Sequence, residues 1–304
     1  MKCSACGVAV PVPYLRRRQK EELGVRAITK DRIAAAFALR LKTLKGSDVL
    51  RDRWPRYTRV PSQNLVPGSA EGDFADDLRG GDGGELVEGT DRPAKFCAAH
   101  SSSALAVNTF APLRRDPTRI VFPGLAALSH ARFEGQCENG LVGKNPNLDF
   151  LAHGATAALA VESKCLELFD KKTAGFSKQY EKAMARSAET KWAAVYESLQ
   201  ISPHRFEHVD AVQLVKHYLG LQRAYGASGH TVVLLYVFWE PRNAQEFAAY
   251  SKHRDEVALF SQELFGSSIA FVARSYRHLW AEWESCCLAS DHVLHLRERY
   301  DFDL

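Results

Sequence analysis

The sequence predicts an α/β protein in which a mixed central β-sheet is flanked by helices. Two observations favour this class. From about residue 94 onward, short apolar segments rich in β-branched residues alternate with amphipathic segments of helical periodicity. The 304-residue chain is 46% hydrophobic and 25% charged, the composition of an ordinary globular protein with a sizeable core. These values exclude a collagen-like or wholly disordered chain and allow one large domain or two modest ones.

The elements of the sheet are placed in chain order from apolar runs and turn residues. Strands are expected at residues 119–123, 147–152, 158–165, 231–239 and 268–273. Helices are expected at residues 128–137, 207–221 and 245–265, and in the tail of the chain. From residue 128 onward the order is helix–strand–strand–helix–strand–helix–strand, which is typical of a mixed sheet.

A basic N-terminal region, residues 1–64, is expected to be partly helical. Its first 60 residues hold 15 Lys and Arg against 5 Asp and Glu, a net charge of +10, whereas the whole chain carries +4. Ile33, Phe37 and Leu41 recur every four residues and predict a helix with a basic outer face. That face either contacts the backbone of DNA or is simply solvated. The candidate nucleic-acid contacts in this region are Arg16, Arg17 and Arg18.

Residues 65–93 are rich in glycine and aspartate and poor in apolar residues, so we expect an acidic linker or loop before a compact domain at 94–304. No apolar run approaches the about 20 residues of a membrane-spanning helix, and the N-terminus lacks the pattern of a secretory signal. The seven cysteines are odd in number and irregularly spaced, which argues against a disulfide framework. We therefore expect a cytoplasmic protein with no membrane partner.

The segment 146–167 carries the most informative polar residues. If it forms a hairpin centred on the turn 153–156, paired residue numbers sum to 311, and Asp149 lies opposite Glu162. The two-residue period of a strand puts Lys164 on the same face as Glu162. Two carboxylates and an ammonium group would then cluster on one side of the sheet, among apolar neighbours.

This cluster predicts a metal site. Like charges that face each other across a sheet repel, and a divalent cation would relieve the repulsion. Two carboxylates with open water positions suit Mg²⁺. A lysine beside the metal can orient or help deprotonate a water and neutralise charge on a phosphate. The alternative is an ion pair between Glu162 and Lys164 on a solvated sheet face, with Asp149 at a strand end.

The arrangement resembles the PD-(D/E)XK nuclease superfamily, whose members have the restriction-endonuclease-like fold. Asp149 matches the first acidic position of the motif, and Glu162-Ser163-Lys164 matches its E-X-K element. The resemblance covers about residues 119–273. It departs from the motif in one place, because the proline lies at Pro146 and not beside the aspartate.

The resemblance implies a nuclease that uses Mg²⁺, or Mn²⁺ in its place, to hydrolyse phosphodiester bonds of nucleic acid, DNA being the first expectation. Asp149, Glu162 and the carbonyl of Ser163 would hold the metal, and Lys164 would position the attacking water. The family often adds a glutamate from a helix before the first strand, for which Glu134 is the best match and Glu138 the second. Accessory polar residues on the later helix would be Gln213, Lys216 and His217. Endonuclease and exonuclease action both stay open, and cleavage of both strands would favour a homodimer.

Two other interpretations stay open. The fold could be retained as a catalytically inactive DNA-binding or interaction module. Alternatively, Cys3-x-x-Cys6 and Cys97-x-x-His100 could form a tetrahedral Zn²⁺ site in a structural protein. The two halves of that site lie far apart in sequence, with the acidic linker between them, so zinc is the less favoured expectation.

Overall fold

The structure, a computed structural model, describes residues 26–81, 84–143 and 145–304. At its centre is a five-stranded sheet in which strands consecutive in sequence are neighbours in space. The strands are β1 (His130–Gln136), β2 (Asn147–His153), β3 (Ala157–Lys164), β4 (Thr231–Phe238) and β5 (Ile269–Ser275). Strands β1 to β3 pair antiparallel and β3 to β5 pair parallel, so the predicted mixed sheet is confirmed.

Helices cover both faces of the sheet. In the described residues they are α1 (Lys30–Lys45), α2 (Ala75–Gly80), α3 (Ser102–Arg115), α4 (Gln179–Ser187), α5 (Thr190–Ile201), α6 (Ala211–Tyr225), α7 (Ala248–Glu263), α8 (Tyr276–Glu284) and α9 (Ser290–Tyr300). None of these helices combines the length and the apolar character needed to cross a bilayer.

Strand β3 divides the core into two layers because its side chains alternate between the faces of the sheet. Leu159 and Val161 join an apolar cluster with α1, α3, α8 and α9, here named the first face. Ala158 and Ala160 join a second cluster with α4 to α7, here named the second face. The crossovers that parallel strands require run through α4 to α6 and through α7, on the second face.

Most predicted elements are confirmed. Strands β2, β3, β4 and β5 lie within two residues of their predicted bounds. Helix α6 begins four residues later than the pattern indicated, because the Asp210 carboxylate accepts a hydrogen bond from the Gln213 amide and caps the helix there. Helix α7 begins at Ala248, after a short 3₁₀ turn over Ala244–Glu246.

The prediction of a helix over 128–137 is wrong, since these residues include β1. The local pattern favours a helix, but backbone pairing with β2 stabilises a strand here. Phe133 is buried in the first face, and Gly135 allows close approach of the neighbouring strand. A Cβ atom at position 135 would lie only 2.5 Å from the Leu151 Cβ.

The prediction of a strand over 119–123 is also wrong. The chain makes a 3₁₀ turn over Pro117–Arg119 and then continues without forming a ladder. Ile120 and Phe122 are nevertheless buried, which explains the apolar pattern. The Val121 amide donates to the Cys287 sulfur at 3.3 Å, so a side chain takes the place of a neighbouring strand.

The N-terminal helix is confirmed as α1. The Thr29 side chain caps it, and its predicted apolar residues, Ile33, Phe37 and Leu41, are buried in the first face. The candidate contacts Arg16, Arg17 and Arg18, together with Cys3 and Cys6, lie outside the described residues.

The segment expected as a loose acidic loop, 65–93, differs from that expectation in its described residues. It contains α2, whose Leu78 is buried, and Phe74 stacks on Phe96 with ring centroids 4.7 Å apart. The Asp77 carboxylate accepts from the Phe133 amide at 3.0 Å and from Arg114 at 2.8 Å. Asp77 therefore satisfies a backbone donor at the outer edge of β1.

Candidate functional site

The hairpin register predicted from the sequence is confirmed. Its pairs run from His153↔Ala158 to Phe150↔Val161, and each pair of residue numbers sums to 311. Asp149 and Glu162 stand one position beyond the last pair, at the point where the ladder ends. There the Asp149 carboxylate accepts from the Ser163 amide at 2.8 Å, so a side chain replaces the next backbone hydrogen bond.

Strand β1 adds a third carboxylate to this line. The pairs Phe133↔Phe150 and Gly135↔Leu148 leave Glu134 opposite Asp149. Glu134, Asp149 and Glu162 thus occupy matching positions on three adjacent strands, and we name them the acidic row. The expectation that Glu134 lies on a helix is wrong, since it lies on strand β1.

The backbone at Glu134 is unusual. Its φ of 48° lies in the left-handed region, which a residue with a Cβ atom seldom adopts. Its carboxylate accepts from the Asn147 side chain. Gly81 packs against it, and a Cβ at position 81 would come within 2.8 Å of the Glu134 Cβ. A non-glycine residue in this conformation, at a site of clustered charge, is typical of functional positions.

Glu162 is held by two cationic or hydrogen-bonding partners. Lys164 donates to one carboxylate oxygen, and the His217 Nε2 lies 2.8 Å from the other. Lys164 also donates to the Gln213 Oε1 at 2.8 Å. The Glu162 side chain is only 2% exposed, whereas Lys164 keeps 12% of its side chain exposed. Helix α6 thereby brings Gln213 and His217 to the site, one turn apart on one helix face, as the spacing predicted.

Ser163 faces the other way. Its hydroxyl lies 2.7 Å from the Tyr276 hydroxyl and donates to the Ser102 carbonyl at 3.3 Å, both in the first face. The alternation along β3 therefore separates the structural contacts of Ser163 from the charged groups of Glu162 and Lys164.

The pKa shifts divide the acidic row into two kinds of group. Burial raises the pKa of Glu134 to about 7, and burial together with the Glu162 charge raises the pKa of Asp149 well above its ordinary value. Burial alone would also raise the pKa of Glu162, but Lys164 and His217 outweigh it and lower that pKa. Burial works to lower the pKa of Lys164, yet Glu162, Glu167 and Asp149 raise it overall. Glu162 and Lys164 thus form an ionised pair beside two carboxyl groups that resist ionisation.

The chemistry of this donor set fits a hard divalent cation. Carboxyl groups that are hard to ionise on their own are stabilised as anions by a nearby cation, and Mg²⁺ is typically bound by one or two carboxylates with several waters. Within the described residues, no three His, Cys, Asp or Glu side chains form a ready-made metal cage. Asp149 and Glu162 could supply two oxygen ligands to such a cation.

The other sequence candidates lie apart from this cluster or outside the description. Glu138 follows β1 and is exposed. The Lys216 ammonium lies 5.8 Å from the centroid of the Tyr180 ring, and no contact with the acidic row is seen. Cys97 is fully buried, and burial raises the pKa of its thiol. Because Cys3 and Cys6 are not described, the zinc site stays an untested expectation.

Three neighbours of the site were missed by sequence reasoning. Asn147 holds Glu134, and its position two residues before Asp149, on the same strand face, was an available signal. Glu167 accepts from the Cys165 amide at 2.5 Å and acts on Lys164 from three residues further along. Glu85 acts on Glu134 from a segment distant in sequence, which no local pattern could have indicated.

Comparison with known families gives one finding. Residues 57–301, well over half of the chain, match the family described as Restriction Endonuclease associating with ARP. No curated protein and no solved structure is significantly similar to the chain. The matched range begins inside the segment before α2 and includes every strand of the sheet and the whole acidic row. With its mixed five-stranded sheet flanked by helices, the fold is restriction-endonuclease-like.

Proposed function

The chain belongs to this family of restriction endonucleases associating with ARP, and we propose that it is a metal-dependent nuclease acting on DNA. The observation that carries the proposal is the acidic row beside the ionised pair of Glu162 and Lys164. Three carboxyl groups at matching positions on adjacent strands, with two of their pKa values raised, are a costly arrangement for a purely structural sheet.

The roles follow from the positions. Asp149 and Glu162 would hold Mg²⁺ or Mn²⁺, with the Ser163 carbonyl as a third oxygen and Glu134 supporting Asp149. A bound divalent cation supplies Lewis-acid chemistry, because it lowers the pKa of a bound water and offsets charge on a phosphate. His217 and Gln213 are positioning residues, because they orient Glu162 and Lys164.

Lys164 is best suited to a role as an ammonium group. The charges of Glu162 and Glu167 raise its pKa, which favours the protonated form. A protonated lysine cannot accept a proton from water, but it can donate hydrogen bonds to an attacking water or a phosphate oxygen. We therefore assign Lys164 to positioning and charge neutralisation and not to general-base catalysis.

One observation favours the second candidate, an inactive DNA-binding or interaction module. Both carboxylate oxygens of Glu162 already have protein partners. A buried ion pair of this kind can be a purely structural network. The two candidates differ in one measurable respect, since only the nuclease needs a divalent cation for its action.

The test compares wild type with Lys164→Ala and Asp149→Asn. Each protein is incubated with supercoiled plasmid and linear single-stranded DNA in Mg²⁺, Mn²⁺ or EDTA. We expect cleavage that requires the metal and falls by at least about 100-fold in both variants, the size typical of a lost electrostatic or metal-holding group. The matched control is Lys252→Ala, which removes an exposed lysine of α7 and should cleave like wild type.

Folding of the variants is checked by thermal melts, since removal of Lys164 leaves a buried carboxylate with one partner fewer. Cleavage that survives in both site variants would reject the assignment of the site. DNA binding that depends on salt but not on Mg²⁺, without cleavage in any condition, would favour the binding module.

A further inference from the structure

Two adjoining depressions form a cleft near the start of α3. The outer depression, of about 550 Å³, is lined by Trp54 and Arg56. The inner depression, of about 380 Å³, is lined by Arg92 and Lys95. Both share Lys30, Tyr57 and His100, so they are two halves of one space, which we name the two-part cleft.

The inner half lies within electrostatic range of the candidate active site. Glu167 lines it, and its charge acts on Lys164, three residues earlier in the chain. The charges of Glu85 and Lys95 are close enough to act on Glu134. Charged residues that line the inner half therefore act on both Glu134 and Lys164.

Four cationic side chains, Lys30, Arg56, Arg92 and Lys95, line the cleft against the carboxylates of Asp31, Glu85 and Glu167. Three of the four are ion-paired: Lys30 with Asp170, Arg56 with both oxygens of Asp31, and Lys95 with Glu85 at 3.2 Å. Arg92 is exposed and has no ion pair among the described residues. Such groups suit the phosphates of a nucleic acid, which bind cations without regard to base sequence.

The outer half presents aromatic surface. Trp54 and Tyr57 are partly exposed, and their ring centroids lie 6.2 Å apart at 77°. The Arg53 guanidinium lies 5.7 Å from the centroid of the Trp54 ring. Aromatic rings beside cations are the combination that proteins use to stack unpaired bases while they hold the backbone.

His100, at the junction of the two halves, has an unused polar atom. Its Nδ1 is buried and has no hydrogen-bond partner within the described parts of the chain. Burial lowers the pKa of His100 to about 4, so the ring is neutral at physiological pH. A buried nitrogen without a partner is costly, and a ligand that supplies one would remove that cost.

We propose that the two-part cleft binds one unpaired nucleotide of a single-stranded DNA segment, with its base in the outer half and its phosphate in the inner half. That the bound strand is DNA rests on the proposed function. A cleft of this size holds a small ligand, whereas an intact duplex offers no free base face for Trp54 to stack on. The substrate would then be single-stranded or locally unpaired DNA.

The tryptophans of this protein make the proposal directly testable. The chain has five, and four of them, Trp192, Trp239, Trp280 and Trp283, are at most 2% exposed. Trp54 alone is partly exposed, so a change of tryptophan fluorescence on binding reports on the cleft. The titrants are an oligothymidylate, the same sequence in a duplex, and thymidine monophosphate, all in EDTA to prevent cleavage.

We expect the oligothymidylate to quench the fluorescence of wild type, and the Trp54→Phe variant to lose that quenching while it still folds. Binding of the labelled oligothymidylate, followed by anisotropy, should weaken about tenfold or more in Trp54→Ala and in Tyr57→Ala. The matched control is Phe265→Ala, which removes an 83% exposed aromatic ring that does not line the cleft and should bind like wild type.

Three outcomes would overturn the proposal: binding that leaves the fluorescence unchanged, equal binding by the Trp54→Ala and Phe265→Ala variants, or equal quenching by the duplex. Saturation by thymidine monophosphate at the same concentration would indicate a free-nucleotide site instead of a strand. Because the readout needs no cleavage, quenching by the oligonucleotide in a protein that never cleaves DNA would support the cleft and reject the nuclease. Cleavage without quenching would support the nuclease and reject the cleft as a binding site for the strand.

Discussion

Asp149 and Glu162 are neighbouring carboxyl groups whose pKa values move in opposite directions. Glu162 has Lys164 and His217 as partners, which stabilise its anion despite burial. For Asp149, the Lys164 charge and the hydrogen bond from the Ser163 amide do not outweigh burial and the repulsion of Glu162. The protein therefore holds one ionised carboxylate and, beside it, one that gains most from an added cation. This asymmetry is the residue-level argument for an open metal site.

The asymmetry predicts that Asp149→Asn keeps the stability of the fold but loses the binding of Mg²⁺. Asparagine keeps an oxygen that can accept from the Ser163 amide, and it removes a poorly stabilised charge. Without metal, we expect the free energy of unfolding to be unchanged or to rise by about 1 kcal/mol. Mg²⁺ should raise the melting temperature of wild type by mass action and should not raise that of the variant. Calorimetric melts with and without Mg²⁺ check this.

A melting temperature that rises equally with Mg²⁺ in both proteins would place the metal elsewhere. The matched control is Asp76→Asn, which changes an exposed aspartate of α2 and should keep the response of wild type. A loss of stability in Asp149→Asn without metal would show that the carboxylate is already well stabilised, contrary to the pKa shift described above.

At the scale of elements, the sequence was most informative where one strand determines its neighbour. The hairpin of β2 and β3 could be predicted to the residue, because a tight turn fixes the register and alternation fixes the faces. Strand β1 could not be predicted in this way. Its pattern is short and polar, and its conformation depends on pairing with β2, which lies beyond a ten-residue connection. Glu134 was therefore expected on a helix but lies on a strand, opposite Asp149.

The same limit applies to the groups that surround the site. Gln213 and His217 could be proposed from their spacing on one helix, because helical periodicity is local. Glu85, Trp54 and Tyr57 could not, since loops and short turns bring them to the site from the part of the chain before α3. Their approach depends on tertiary packing that leaves no periodic signal.

Helix α6 must lie close to the end of β1 to present Gln213 and His217 to the site, and Gly220 permits that approach. A Cβ atom at position 220 would lie 2.4 Å from the Cys137 carbonyl oxygen, which is backbone and cannot easily move. We expect Gly220→Ala to lower the free energy of unfolding by about 1–3 kcal/mol, although alanine favours a helix by about 1 kcal/mol over glycine. Denaturant unfolding measures the change.

The control for that variant is Gly80→Ala in α2, where a Cβ atom would meet open space. It should be neutral or slightly stabilising, because only the helix propensity changes. If the alanine at position 220 is as benign as that at position 80, α6 does not pack tightly on the end of β1. Nuclease activity of Gly220→Ala, measured where the variant is still folded, should fall as well, since the helix would shift away from Glu162.

At the scale of the whole molecule, the basic N-terminal helix is part of the core. Phe37 of α1 packs against Trp239 and Phe302, with ring centroids 4.6 Å and 5.1 Å away. The buried Arg299 of α9 donates to the carbonyl of Ala99 at 2.8 Å and to the Asn64 side chain at 3.3 Å. One arginine therefore joins the C-terminal helix to the segments that lead into α3. Lys30 and Ala34 of α1 line the outer half of the cleft.

The fold as a whole should lose stability in acid through its buried histidines, and His253 gives the sharpest case. It lies in α7, its Nε2 is 3.0 Å from the Tyr236 hydroxyl, and its Nδ1 has no partner among the described residues. Burial, together with the charges of His208 and Arg254, lowers its pKa from 6.5 to about 3. In the unfolded chain the ring takes up a proton near its ordinary pKa, while the folded protein resists protonation until about pH 3.

Since the unfolded state binds more protons between these two values, stability is complete above pH 6.5 and falls as the pH drops toward 3. This histidine contributes up to about 1.4 kcal/mol per pH unit in that window, and His100 adds a similar dependence down to about pH 4.

His253→Gln should therefore show a shallower fall in the free energy of unfolding than wild type. Urea unfolding from pH 7 to pH 4 measures both slopes, and His204→Gln, at an exposed histidine, should follow wild type. Parallel slopes for His253→Gln and wild type would mean that the buried ring does not resist protonation, and that acid acts on the fold through other groups.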